Sequence, residues 1–180
     1  MRLRIIAGEL GGRLIESPER SSTHPMGERI KGALFNMLGD DVVGKTVFEP
    51  FAGSGALSFE ALSRGAKSAL LLEKEKRAQG AIERNIKALG LSQKATLVKA
   101  NCRMWSENNP DAQFDLLLID PPFHDMQLST VTLLIRHLKA NGLMVLSYQG
   151  RGAAPTVNGV VVVDTRLYGD AALAFYRKAA

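Results

Sequence analysis

Short apolar runs alternate with helical patterns through most of the chain, and that alternation admits few folds. Thr46-Val47-Phe48-Glu49 reads as a strand entering a glycine turn, followed by a helix through about Arg64 that Gly65 ends. Ala69-Leu70-Leu71-Leu72-Glu73 is a second strand, and residues 75–89 form a helix with Ala78, Ile82, Ile86 and Leu89 on one face. Thr96-Leu97-Val98 gives a third strand and Leu116 to Ile119 a fourth. A helix over about 127–139 leads to a fifth, Leu143-Met144-Val145-Leu146. Gly159 to Arg166 and Ala172 to Tyr176 are extended, and their spacing suits a hairpin. The expectation is an α/β protein with a doubly wound sheet and helices on both faces.

Before the first strand, Ile30, Ala33, Leu34, Met37 and Leu38 fall at helical spacing and predict a helix over 28–38. Residues 1–27 read as a basic, loop-rich arm holding Gly8, Gly11, Gly12, Pro18 and Pro25, and residues 28–180 as a single domain. Arginines in such an arm can lie along a phosphate backbone, so Arg4, Arg13, His24, Arg29 and Lys31 are candidate contacts to RNA. The formal charge of +5 and pI near 9.5 agree with a polyanionic partner. No apolar stretch approaches the roughly 20 residues of a membrane span, and Met1 to Ile6 lack the apolar core of a secretory signal. One cysteine, Cys102, cannot form an internal disulfide. A cytoplasmic monomer is the expectation.

Chemistry concentrates at strand ends. Phe51-Ala52-Gly53-Ser54-Gly55-Ala56 joins the first strand to its helix, where glycines allow a ligand close to the backbone. Glu73, beside Lys74 at the tip of the second strand, is spaced to accept hydrogen bonds from ribose hydroxyls. Glu49 precedes the turn; a carboxylate there repels a pyrophosphate and attracts a sulfonium and ammonium, which favours S-adenosylmethionine over NAD. Asn101 can pair with an adenine edge and Cys102 can pack against the ring.

Asp120-Pro121-Pro122-Phe123 follows the fourth strand, at the edge where open α/β sheets keep ligands. The prolines fix the turn and leave carbonyls free as acceptors. A carboxylate with such a carbonyl can hold an exocyclic amino group, while Phe123 stacks on an extruded base. This geometry recognises an amino group without naming its base, so adenine in DNA or RNA stays open beside guanine. A non-catalytic RNA- or nucleoside-binding module is the reading from another class. His24 and His137 have no neighbours at metal-ligand spacing, His124 reads as a solvent-exposed loop residue, and no metal is expected.

With these segments together, the chain resembles the RsmD-type family of bacterial 16S ribosomal RNA guanine-N2 methyltransferases. The similarity runs through Arg4-Ile5-Ile6-Ala7-Gly8, Glu28-Arg29-Ile30-Lys31, Ala33-Leu34-Phe35-Asn36 and Phe51 to Leu57. It continues through Glu60 to Ala66, Glu73, Asn85, Asp120-Pro121-Pro122-Phe123 and Tyr168-Gly169-Asp170. The resemblance implies a seven-stranded, Rossmann-like class I methyltransferase, S-adenosylmethionine as donor, and a guanine amino group in 16S rRNA or a small-subunit assembly intermediate as acceptor. Two positions depart from the family: His24-Pro25-Met26 stands where Arg-Pro-Thr is usual, and Glu49 where Asp is usual.

Overall fold

The computed structural model describes residues 2–18, 26–122, 126–150 and 152–180. Strands β1 (Arg2–Arg4) and β2 (Leu14–Glu16) pair antiparallel as a separate two-stranded sheet. Over residues 2–18 the chain is therefore a packed hairpin, which corrects the reading of a loop-rich arm. Ile5 and Ile15 are buried in the main core and supply the apolar anchor.

A buried carboxylate fixes this hairpin to the body. Helix α1 (Glu28–Leu38) is followed by a 3-10 turn at Gly39–Val42 and strand β3 (Thr46–Glu49). Helix α2 (Ala56–Ser63) carries Glu60, which is fully buried. Its Oε1 accepts from the Ile6 amide at 2.9 Å and its Oε2 from the Ala7 amide at 3.2 Å. Lys31 Nζ lies 3.5 Å from Oε1 and Arg64 Nε 2.8 Å from Oε2. Ser63 adds a hydroxyl bond to the Ala7 carbonyl at 2.6 Å. Gly8, at φ +86°, runs so close to α2 that a Cβ would sit 2.0 Å from the Ser63 carbonyl oxygen.

The remaining elements are β4 (Ser68–Leu72), α3 (Lys76–Ala88), β5 (Ala95–Val98), α4 (Cys102–Asn108) and β6 (Phe114–Ile119). After them come α5 (Leu128–Leu134), a 3-10 turn at Ile135–His137, β7 (Leu138–Gln149), β8 (Val160–Tyr168) and β9 (Ala171–Lys178). The main sheet has seven strands in the order β5-β4-β3-β6-β7-β9-β8. β3 through β7 run parallel, while β9 pairs antiparallel with both β7 and β8. The predicted doubly wound sheet and terminal hairpin are both present.

Chain direction reverses between β3 and β6. From β3 the chain moves outward through β4 to β5, then returns to β6 on the other side. Such a switch point opens a crevice beyond the strands' carboxyl ends, because the two following loops diverge.

Two boundaries differ from the sequence expectation. The helix predicted over 127–139 ends at Leu134, and Leu138 already pairs with Phe114 in the sheet. Burial of Leu138 in the core outweighs continuation of a helix weakened by Thr130, Val131 and Thr132. β7 then slips in register before Leu143 meets Leu116. A second slip lies in β8 between Val162 and Asp164.

His137 is fully buried against Phe48 and Trp105. Its Nδ1 lies 2.7 Å from the Ala112 carbonyl, which only accepts, so Nδ1 carries the proton. Nε2 accordingly accepts from Ser106 Oγ at 2.7 Å. Burial pushes the imidazole pKa down and keeps the ring neutral. This pair bridges α4 to the turn after α5 and has no opening to solvent, so its role is structural.

Candidate active site

The turn between β3 and α2 is built by two glycines for different reasons. Gly55 has φ +81°, and a Cβ there would lie 2.7 Å from the Phe59 ring. Gly53, at φ +58°, has no atom within 4 Å of the Cβ position and leaves open space above its backbone. Its amide donates to Glu73 Oε1 at 2.9 Å, and the Glu75 amide donates to Oε2 at 2.9 Å. These bonds hold the Glu73 carboxylate at the carboxyl end of β4, facing the crevice. Asn85 fastens the same turn from below. Its side-chain amide donates to the Glu16 carbonyl at 2.9 Å and the Ser54 carbonyl at 3.4 Å.

Glu49 ends β3 and is only 2% exposed. Its Oε1 accepts from Ser58 Oγ at 2.6 Å and the Ser58 amide at 3.1 Å. Burial raises its pKa to about 8; the Ser58 bonds oppose that rise and the nearby charges of Asp120 and Glu73 add to it. An apolar wall and the carboxyl groups of Glu49, Glu73, Glu75 and Asp120 thus share one crevice, an environment that favours an incoming cation.

Asp120 stands just past β6, partly buried, with its carboxyl turned to Ser147 of the neighbouring strand. Burial pushes its pKa up, and a hydrogen bond from Ser147 Oγ to Oδ1 opposes the shift. Ser147 lies on β7, one step beyond the Ile119–Leu146 pair of the parallel ladder.

Two clefts meet at this turn. One is lined by Glu49, Phe51, Ala52, Gly53, Ser54, Ala56, Glu73, Lys74, Asn101 and Cys102, with Ser17 and Pro18 from the hairpin. The other is more apolar, with Ile30, Met126, Tyr148, Ala172 and Leu173 in its wall beside Ser147 and Gln149. Met26, Asp120, Pro121 and Pro122 line both. The Asp-Pro-Pro turn is therefore a partition with a cavity on each side.

Most of the residues expected to hold a cofactor converge on the first cleft; Gly55 stays buried behind it. Asn101 also caps α4, its Oδ1 accepting from the Arg103 and Met104 amides at 2.9 and 3.3 Å. Only its amide NH2 remains for a ligand. Cys102 is buried, which raises its thiol pKa.

The candidate RNA contacts divide. Arg4 and Arg13 are exposed, although Arg13 also donates to the Ala88 carbonyl at 2.9 Å. Arg29 is exposed and sits 5.7 Å above the Tyr168 ring, and its chain neighbour Ile30 lines the second cleft. Lys31 cannot face RNA: it is 3% exposed and donates inward to the Arg4 carbonyl at 2.7 Å. Its assignment is corrected to a core ion pair with Glu60. His24 and Phe123 lie outside the described residues.

Sequence reasoning passes over Ser147, Ser17, Pro18, Met26 and Gln127 as cleft-lining residues. Ser147 has a usable signal, because it directly follows an expected strand at the sheet edge where ligands gather. Among the described residues no group of three or more His, Cys, Asp or Glu is placed to hold a metal, and no helix is long and apolar enough to cross a membrane.

The chain is similar to known proteins in sequence and in fold. The family model described as Conserved hypothetical protein 95 matches residues 3–177. "Ribosomal RNA small subunit methyltransferase D" of Haemophilus influenzae is 35% identical over 147 residues, covering 79% of this chain and 76% of its own. "Putative rRNA methyltransferase YlbH" of Bacillus subtilis is 29% identical over 182 residues, 98% of this chain and 99% of its own. Among solved structures, "Putative methyltransferase yhhF" from Escherichia coli superposes with a TM-score of 0.89 at 28% identity, over 100% of this chain and 99% of its own.

Proposed function

The chain belongs to the RsmD-type family, and from that premise we propose that it moves the methyl group of S-adenosylmethionine onto the exocyclic N2 amino group of a guanine in 16S ribosomal RNA. One observation carries the reading: the Asp120-Pro121-Pro122 turn separates an acid-lined cleft from an apolar one. A donor and a flat acceptor on opposite sides of that turn meet at Asp120.

The residues of the first cleft suit this donor. Glu73 matches the ribose hydroxyls, Gly53 leaves room for the chain that joins sugar to sulfur, and Glu49 offers negative charge near a sulfonium and ammonium. S-adenosylmethionine, when bound, supplies a methyl already activated as an electrophile. The protein's share is alignment and charge placement.

Asp120 and the Pro121 carbonyl each accept one amino hydrogen of the base, turning the nitrogen lone pair towards the methyl. As the N–C bond formed at the expense of the sulfonium's S–C bond, whose electron pair stays on sulfur, positive charge would grow on that nitrogen and the buried carboxylate beside it would stabilise the charge. The surplus amino proton then passes to Asp120 or to water. Burial, by raising the carboxyl pKa, makes Asp120 a better proton acceptor than an exposed aspartate. Phe123 is proposed to stack on the base, and Arg4, Arg13 and Arg29 to meet the RNA backbone.

The reaction is tested by transfer of radiolabelled methyl to partially assembled small-subunit particles, free rRNA and duplex DNA. Label recovered as N2-methylguanine in rRNA is the expected result. Label in adenine or DNA would keep the chemistry and overturn the acceptor.

Glu49 makes cofactor binding depend on pH. With a pKa of about 8 the free protein holds this group protonated in neutral solution. A cationic ligand favours the carboxylate, so binding expels a proton and affinity rises with pH until about pH 8, by at most about tenfold per unit. Calorimetry between about pH 6 and pH 9 should show that slope in the wild type and a much flatter one in Glu49→Gln. Equal slopes in the two proteins would remove Glu49 from the cofactor's charge environment.

A further inference from the structure

We propose that Ser147 selects the base: its hydroxyl, committed as a donor to Asp120, presents only lone pairs to the apolar cleft and accepts the ring N1–H of guanine. The inference rests on the transfer reaction above and adds what distinguishes one amino-bearing base from another. Ser147 Oγ donates to Asp120 Oδ1, and Ser147 also lines the acceptor cleft with Tyr148 and Gln149. A serine hydroxyl has one proton, and a carboxylate only accepts. Once the proton points at Asp120, every remaining site on Oγ is an acceptor.

The bases answer this polarity differently. In guanine the amino group sits between a ring N–H and a bare ring nitrogen. In adenine and cytosine it sits beside a bare nitrogen and a carbon. An amino group held by Asp120 brings the neighbouring ring position towards Ser147, one ladder step along the adjacent strand. Guanine offers a donor there and completes a hydrogen bond. Adenine or cytosine would set a bare nitrogen or a carbon there and leave a buried acceptor unmatched. The Asp-Pro-Pro turn recognises an amino group of any base, and the serine behind it supplies the discrimination the turn lacks.

2-Aminopurine isolates this contact, because it keeps the amino group of guanine but carries no hydrogen on N1. The rRNA fragment methylated in the labelling assay is prepared with guanine or 2-aminopurine at the target position. Wild-type protein should prefer guanine by about tenfold to a hundredfold in kcat/KM, the range expected when a single buried acceptor is left unmatched. In Ser147→Ala the preference should fall to within a few-fold, mostly through slower methylation of guanine, while cofactor affinity holds. Ser147→Thr retains the hydroxyl and should restore the preference. If Ser147→Ala slows both bases equally and keeps the wild-type ratio, Ser147 serves Asp120 alone and the proposal is overturned. A wild type that labels some other base, or none, would instead defeat the reaction itself.

Discussion

Asp120→Ala is expected to lower kcat for methyl transfer by about a hundredfold to a thousandfold, the loss typical when one preorganised charge-stabilising group leaves a site. Cofactor affinity should fall only modestly, because Gly53, Glu73 and Glu49 stay in place across the cleft. Asp120→Asn separates charge from shape. The amide keeps one accepting oxygen but turns a donor towards either Ser147 or the base, so its loss should approach that of alanine. Single-turnover rates at saturating cofactor, with binding measured in parallel, give the comparison. A variant with near wild-type turnover would show that the amino group is held elsewhere. Weakened cofactor binding at unchanged turnover would place Asp120 on the donor's side only.

Glu60→Ala should destabilise the fold more than any of the site substitutions above. Removing the carboxylate leaves Lys31, 3% exposed, without its counter-ion and strips two hairpin amides of their acceptor. Breaking one partner of a buried ion pair costs about 3–5 kcal/mol, a large fraction of a domain's net stability. Burial already depresses the Lys31 pKa, and Glu60 is the main influence opposing that shift. The double change Glu60→Leu with Lys31→Met removes both charges together and should recover much of the loss. Urea denaturation of the three proteins measures this. A drop below about 1 kcal/mol in the alanine variant would mean that water takes over as acceptor for the two amides and for Lys31.

What can be read from residues alone follows from how local each signal is. The glycine turn, Glu73 and the Asp-Pro-Pro turn each adjoin an apolar run that must be a buried strand, so their place at the sheet edge follows from position. Lys31 is misread because Ile30, Ala33, Leu34, Met37 and Leu38 suggest one helix face, whereas the buried set is Lys31, Leu34, Phe35 and Leu38. The face is rotated by about one residue, and only the partner on α2 explains why a lysine lies inside it. The N-terminal hairpin escapes sequence reading because each strand has three residues and depends on Glu60 and Asn85, far along the chain. Helix α4 escapes it because seven residues with a polar cap carry little periodicity. The strand end marks Ser147 as a cleft candidate, but its pairing with Asp120 follows only from the register of β6 against β7.

The slip in β8 also decides where the sheet stops. β8 is the open edge, with Val161 and Val163 exposed at 68% and 55%, a composition that invites another strand to add. The ladder shifts between Val162 and Asp164, and Asp164 pairs with Arg166 at 3.1 Å beside the break. A regularly pleated newcomer can match the edge on one side of that irregularity only, and it meets charge where the match fails. By its own flaw the last-added hairpin makes a poor template, and fibril-like extension is discouraged without any cover over the valines.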